Sequence, residues 1–337
     1  MKYRRNSEYV TRNSICSSRI SIFQFLVSLF ILLAAWLIAP PATHARGINL
    51  PPEATEGLRL VYNGEPDAAI PLFRKLQVEQ PTDPLGYLLE GEAQWWKIYC
   101  TALEMRYGFI GAWRRPKQRE DAAYFALADK TIALAEARLK EKPTPGMHFY
   151  AGMGQALKAR LSALREERMA IARAGVRGRE QMLRAVALDA NFDDAYMGIG
   201  LYNYYVDTLS GLAKVLRFFM GIPGGDKKEG VRQLERAIAA KEMAEVEARF
   251  YLAVNLRDHD RQYARAAELL EPLVAEYPQN PLFRLQLGNM YAKLGRKEQA
   301  AAQYQAAERL AANGKIADAR CATRVREVAS AALKTLP

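Results

Sequence analysis

Between Pro281 and Gly314 the chain reads P-L-F-R-L-Q-L-G-N-M-Y-A-K-L-G-R-K-E-Q-A-A-A-Q-Y-Q-A-A, with small and large apolar residues at helical spacing. Leu287, Gly288 and Tyr291 share one helix face, Ala300, Tyr304 and Ala307 another, and Gly295 breaks the pattern between them. The period predicts two antiparallel helices joined by a tight turn. Gly288 and Ala300 let the backbones approach, while Tyr291 and Tyr304 fill the wedge. A pair of this kind cannot bury its own apolar face and must stack on a neighbour.

Further copies are present. Ala266, Leu270, Leu273 and Pro278 repeat the second-helix spacing, and Ala253, Leu256 and Tyr263 give a lengthened first half. Gly64, Ala69, Phe73, Leu76 and Pro81 form another copy, and Leu183, Ala185, Leu188, Asp193, Tyr196, Ile199 and Gly200 join the end of one unit to the start of the next. These offsets resemble the 34-residue tetratricopeptide repeat (TPR). The expectation is an all-α protein: a right-handed TPR-like helical solenoid of antiparallel helix pairs with lengthened central helices. No alternating run of strand type is apparent, and the competing architecture is an irregular helical bundle.

The centre is the least regular part. Arg114-Arg115-Pro116 and Pro143-Thr144-Pro145-Gly146 interrupt long helical patterns, and Pro145 suits a first helical turn. Met147–Arg168 and Ala170–Asp189 read as a helix pair. After Tyr205 an extra segment, Val206–Gly221, precedes Pro223-Gly224-Gly225-Asp226, where Asp226 suits a helix N-cap and the glycines a reversal of the backbone.

Residues 1–45 differ in kind. Lys2, Arg4, Arg5, Arg12 and Arg19, against Glu8 alone, precede a stretch without charge from Ile20 to Ala39, and Thr43-His44-Ala45 then offers a cleavage site. The expected division is a signal peptide or N-terminal membrane anchor at 1–45, a solenoid at 46–314 and a C-terminal capping helix at 315–337. Either use of the leader exports the repeats to the periplasm or cell envelope. Cys16 precedes the apolar run and so does not suit a lipid-bearing cysteine. Cys100 and Cys321 remain; an oxidising compartment permits a bond, but they lie near opposite ends of a solenoid, so two separate small apolar residues are expected.

The chain carries 48 Lys and Arg against 37 Asp and Glu. With the leader's five and one set aside, residues 46–337 keep a net charge of +7. Much of the excess lies in Trp113–Lys117 and Lys158–Arg184. A basic face suits an anionic lipid, an envelope polymer or an acidic partner, whereas solvated helix faces explain it equally simply. Nucleic acid does not suit an exported chain without an RNA or DNA motif.

Catalytic patterns are weak. Gly221–Lys228 lacks the Gly-Lys-Ser/Thr ending of a phosphate loop. Gly152-Met153-Gly154 and Gly198-Ile199-Gly200 lie within helical patterns and read as packing glycines. Asp258-His259-Asp260 offers at most weak cation binding in a turn. No enzyme activity, cofactor or metal site is expected.

A partner is therefore sought on the concave face, lined in a TPR solenoid by the first helix of each pair. The offsets select Trp95, Trp96, Tyr204, Tyr205, Arg249, Asn289 and Lys293, combining aromatic and Arg anchors with groups that hold a peptide backbone. Leu285 stands where a carboxylate-holding groove would carry lysine. Core filling is the alternative role for Trp95 and Trp96. A second candidate is the apolar stripe of Val206–Gly221, with Leu212, Leu216 and Phe219 as docking or membrane-contact residues.

The run G-L-Y-N-Y-Y-V-D-T-L-S-G-L-A-K-V-L-R-F-F-M-G-I-P-G-G-D-K-K-E-G-V-R-Q-L-E-R-A resembles the signature of bacterial exported TPR proteins. It is more distantly similar to about 40 residues of the eukaryotic inclusion-body-clearance TPR family, departing at Ser210, where proline is common there. The resemblance implies a TPR fold and protein binding, and brings no catalytic residue. The expectation is an adaptor holding a protein or peptide, with a membrane-tethered assembly factor for an envelope complex as the alternative.

Overall fold

A computed structural model describes residues 47–219 and 221–336, apart from the side chains of Leu212, Val215, Leu216 and Phe219. The proposed leader and the docking side chains Leu212, Leu216 and Phe219 thus lie outside the described residues. No described helix is long and apolar enough to cross a membrane.

The elements are α1 (Pro52–Tyr62), α2 (Pro66–Glu79), α3 (Leu85–Thr101), β1 (Leu103–Arg106), β2 (Phe109–Ala112), α4 (Asp121–Glu141), α5 (Pro145–Leu164) and α6 (Arg168–Leu188). They continue as α7 (Ala195–Thr208), α8 (Gly211–Phe219), α9 (Lys227–Ala240), α10 (Glu245–Asn255), α11 (Tyr263–Glu276), α12 (Pro281–Lys293), α13 (Lys297–Ala312) and α14 (Ala319–Thr335). Sequence neighbours pack as pairs, α7 pairing with α9 across the inserted α8.

Local chemistry sets the boundaries. Asn280 caps α12 by accepting from the N–H groups of Leu282 and Phe283 at 2.8 and 3.3 Å, with Pro281 in the first turn. Gly295, at φ 71°, ends it, letting Arg296 N–H reach Tyr291 O. Asp226 caps α9, as its position in the sequence suggests, and Thr144 caps α5 just ahead of Pro145 in its first turn. Gly225 serves close approach, since a Cβ there would lie 2.5 Å from Asn203 O. The lengthened first half before Tyr263 is a π-helical turn, Leu256–Asp260, continuing α10.

The pairs wind until the chain meets itself. Asn280 Nδ2 donates to Tyr62 O at 2.7 Å, and Gln279 N–H donates to Asn63 Oδ1 at 3.3 Å, so the end of α1 abuts the turn before α12. Trp96 stands at the centre of the closure, its ring centroid 6.2 Å from Tyr62, 5.1 Å from Phe250 and 5.7 Å from Phe283. Burying a large aromatic or aliphatic side chain contributes about 1.5–3 kcal/mol, and this cluster draws on α1, α3, α10 and α12 together.

Two expectations are corrected. Residues 103–112 form an antiparallel hairpin pairing Leu103 with Ala112 and Arg106 with Phe109. Its turn residues Tyr107 and Gly108 both have positive φ, 53° and 74°, as a two-residue hairpin loop requires. Cys100 and Cys321 are joined by a disulfide with a Cα separation of 5.2 Å. The closed winding brings α14 back onto α3 and β1, which unites positions near opposite ends of the solenoid.

Candidate partner-binding groove

The inner wall is formed by α3, α5, α7, α10 and α12, and most of its side chains face one another. Trp95 and Trp96 are each 3% exposed, placing both in the core. Trp95 Nε1 donates to the Tyr251 hydroxyl at 2.8 Å. Beside it, Arg160 bridges two acids, with Nη1 2.6 Å from Glu92 Oε2 and Nη2 2.5 Å from Glu247 Oε2. The guanidinium also lies 5.2 Å from the Tyr251 ring centroid. Burial pushes the Glu92 carboxyl well above its ordinary range; Arg160 opposes that shift and the Glu247 charge adds to it.

Asn289 is also buried, and its amide grips the peptide group of Ile110 in β2. Asn289 Oδ1 accepts from Ile110 N–H at 3.3 Å, and Asn289 Nδ2 donates to Ile110 O at 3.0 Å. Gln286 Nε2 and Arg257 Nη1 donate to the same carbonyl at 3.0 and 3.1 Å. The Tyr304 hydroxyl steadies Asn289 Oδ1 at 3.2 Å. Lys293, exposed one turn further along α12, sets its ammonium 4.4 Å from the Phe109 ring centroid. The wall thus has the donors and acceptor that hold an extended backbone, and they hold the chain's own hairpin.

Tyr204 is fully buried, its hydroxyl 2.9 Å from Asn255 O and 2.7 Å from Asp260 Oδ2. Desolvation, followed by the hydrogen bond to Asp260, raises its pKa. Lys227 Nζ meets Asp260 at 2.5 Å, giving the 258–260 turn a structural role. Tyr205 remains open at 42% exposure, and Arg249 is partly buried with Nη2 2.7 Å from Glu245. Tyr205, Arg249 and Lys293 are therefore the selected residues still reachable from solvent, whereas Trp95, Trp96, Tyr204 and Asn289 are interior.

Gln286 and Arg257 were not singled out from sequence. Gln286 lies three residues before Asn289 on the same helix face, a spacing that would have signalled a shared amide ladder. Nothing in the spacing of Arg257 announces its contact with Ile110, 147 residues away.

Residues 255–315 match the tetratricopeptide repeat family, over the segment that contains the Gly288–Tyr304 pair. Among solved structures, the chain is similar to the C-terminal part of a TPR repeat-containing protein from Cytophaga hutchinsonii, with 15% identity, a TM-score of 0.36, and coverage of 84% of this chain and 95% of that one. No curated protein matches. The matched segment carries tetratricopeptide repeats, and the helix pairs that precede it are stacked in the same TPR-like manner. Such repeats generally mediate protein–protein interactions through the surfaces that their stacking creates.

Proposed function

We propose that the protein is an exported, non-enzymatic adaptor that binds a protein or peptide partner along its concave wall. The observation carrying this reading is the stack of repeats matched to a family that generally mediates protein–protein interactions; the interior donors Asn289, Gln286 and Arg257 are taken up by β2, so a partner would meet the groups still open along the wall. Tyr205, Arg249 and Lys293 provide an aromatic and cationic rim at which a partner side chain first docks. The disulfide suits an oxidising compartment and supports export.

Native co-purification from the envelope fraction tests the reading, comparing the natural chain with Tyr205→Ala and Lys293→Glu. Lys293→Glu falls on an open side chain, whereas Tyr205→Ala removes a half-open ring packed on Tyr204 and His259, so unchanged helical content is part of the comparison. Loss of one partner band in both variants, at unchanged helical content, is the expected result; equal recovery would reject binding at this wall.

A membrane-tethered assembly factor for an envelope complex is the second reading, favoured by Phe218, 76% exposed on α8, together with the uncharged Ile20–Ala39. Mass spectrometry of the mature N-terminus distinguishes them. A chain beginning at Arg46 opposes an N-terminal tether, and retention of Ile20–Ala39 favours it.

A further inference from the structure

Where α3, α5 and α10 meet, the interior encloses two acids and one base. Glu92 and Glu247 are each 2% exposed and share a single guanidinium, that of Arg160. With both carboxyls ionised, one negative charge would be left over in a low-dielectric interior, and two like charges in one site do not both ionise readily. The other titratable groups around the pair are Tyr62 on α1, Tyr124 on α4 and Tyr251 on α10, and Arg160 is the cation that acts on them all. Burial pushes all three hydroxyls well above the ordinary tyrosine range, so they stay neutral and balance nothing.

The geometry also shows where a proton fits. Glu247 meets Arg160 with both oxygens, Oε1 3.4 Å from Nη1 and Oε2 2.5 Å from Nη2. Glu92 meets it through Oε2 alone, at 2.6 Å. Among the described residues, Glu92 Oε1 is buried and has no hydrogen-bond partner. A buried carboxylate oxygen without a donor is costly, whereas in the neutral acid that oxygen carries a hydrogen of its own. Burial raises the Glu92 pKa most; Arg160 opposes it, and the charge of Glu247 and a hydrogen bond to it add to the rise. Only a protonated carboxyl can donate that bond.

We infer that Glu92 and Glu247 together hold one proton at neutral pH, carried on Glu92 Oε1, and that the closed winding is thereby a pH-responsive latch that weakens as its surroundings turn alkaline. The unfolded chain releases this proton as an ordinary carboxyl does, near 4.5, so at neutral pH folding takes one up. Its stabilisation is complete in acid and is lost as pH rises toward the folded value. The same two helices, α3 and α10, carry Trp96 and Phe250 of the aromatic closure, so the seam that loses the proton is the one that shuts the solenoid.

Two measurements on the whole purified chain test this. With ¹³C at the glutamate side-chain carboxyls, one resonance at the position of a neutral acid is expected at pH 7, absent from Glu92→Gln. Denaturant unfolding from pH 6 to 8 is then compared with Glu92→Gln, whose amide keeps an acceptor for Arg160 and a donor in place of the acid. The folding equilibrium constant of the natural chain should fall about tenfold per pH unit relative to the variant. A spectrum without a neutral-acid resonance at pH 7, its persistence in the variant, or parallel pH profiles overturns the inference. If Glu92→Gln does not fold, Glu247→Gln, which leaves Arg160 a single acid to match, takes its place with the same expected outcomes.

Discussion

Cys100 on α3 and Cys321 on α14 are covalently joined although 221 positions separate them in sequence. The bond holds the capping helix against the helix that carries Trp96. A cross-link stabilises largely by restricting the unfolded chain, and more so for longer loops. Cys100→Ser with Cys321→Ser is expected to lower stability by about 2–5 kcal/mol. Urea unfolding with and without reductant checks this: reductant should shift the natural chain toward the double variant and leave the variant where it is.

Arg160 bridges two carboxylates in the dry interior with a single positive charge. Arg160→Met would leave Glu92 and Glu247 facing each other without a counter-charge, at a cost of about 3–5 kcal/mol near neutral pH. The loss should shrink under mildly acidic conditions, because a raised carboxyl pKa means the folded variant takes up protons readily. Urea midpoints at pH 5 and pH 8 measure the difference. Replacing both acids as well, with Glu92→Met and Glu247→Leu, should recover most of the stability.

Asp194 ties the start of the described chain to the α9–α10 junction, accepting from Ile48 N–H at 3.2 Å and Ala244 N–H at 2.8 Å. Desolvation by burial raises its pKa from 3.8 to about 6, against the two backbone hydrogen bonds, which lower it. The folded state therefore holds the proton more tightly than the unfolded chain. Its contribution is greatest below about pH 4 and declines as pH rises through 6, by up to about 3 kcal/mol. Asp194→Asn should flatten stability between pH 4 and 7, read from denaturation midpoints across that range, even though it loses one hydrogen bond.

Gly200 and Gly230 let α7 and α9 touch through their backbones. A Cβ at Gly230 would lie 2.7 Å from Gly200 O and 2.8 Å from Tyr204 N. Gly230→Ala is therefore expected to cost about 1–3 kcal/mol as the helices separate. Gly175, on α6, has only Tyr202 Cδ2 near such a Cβ, at 3.9 Å. Gly175→Ala should stabilise by about 0.5–1 kcal/mol through better helix propensity. Thermal melts of the pair test whether proximity or propensity decides.

The repeat geometry was legible because its signals are local. Gly288 leaves room for the Tyr304 ring, whose Cε1 would lie 2.5 Å from a Cβ there, and both residues fall within one 34-residue unit. Asp226, Pro145 and Pro281 likewise act within a few residues of their positions. The hairpin escaped because each strand has only four residues, and α14, α12 and Arg257 bury them rather than any alternating pattern of their own. Its local mark is Tyr107-Gly108, a turn signal without asparagine or aspartate. Trp95, Trp96 and Asn289 are interior because the solenoid winds closed, and the curvature that sums over six helix pairs is written in no single repeat. The same sum brings Cys100 to Cys321.

The sulfur bridge also decides how the molecule would carry mechanical load. A pull on its two ends would pass through residues 47–100, cross directly to Cys321 and leave by α14. The intervening repeats, including the amide ladder around Ile110, would lie off that line and feel little tension until the bridge was reduced. With the bridge intact the repeats between Cys100 and Cys321 would thus stay undistorted, and its reduction would lower the force at which they yield.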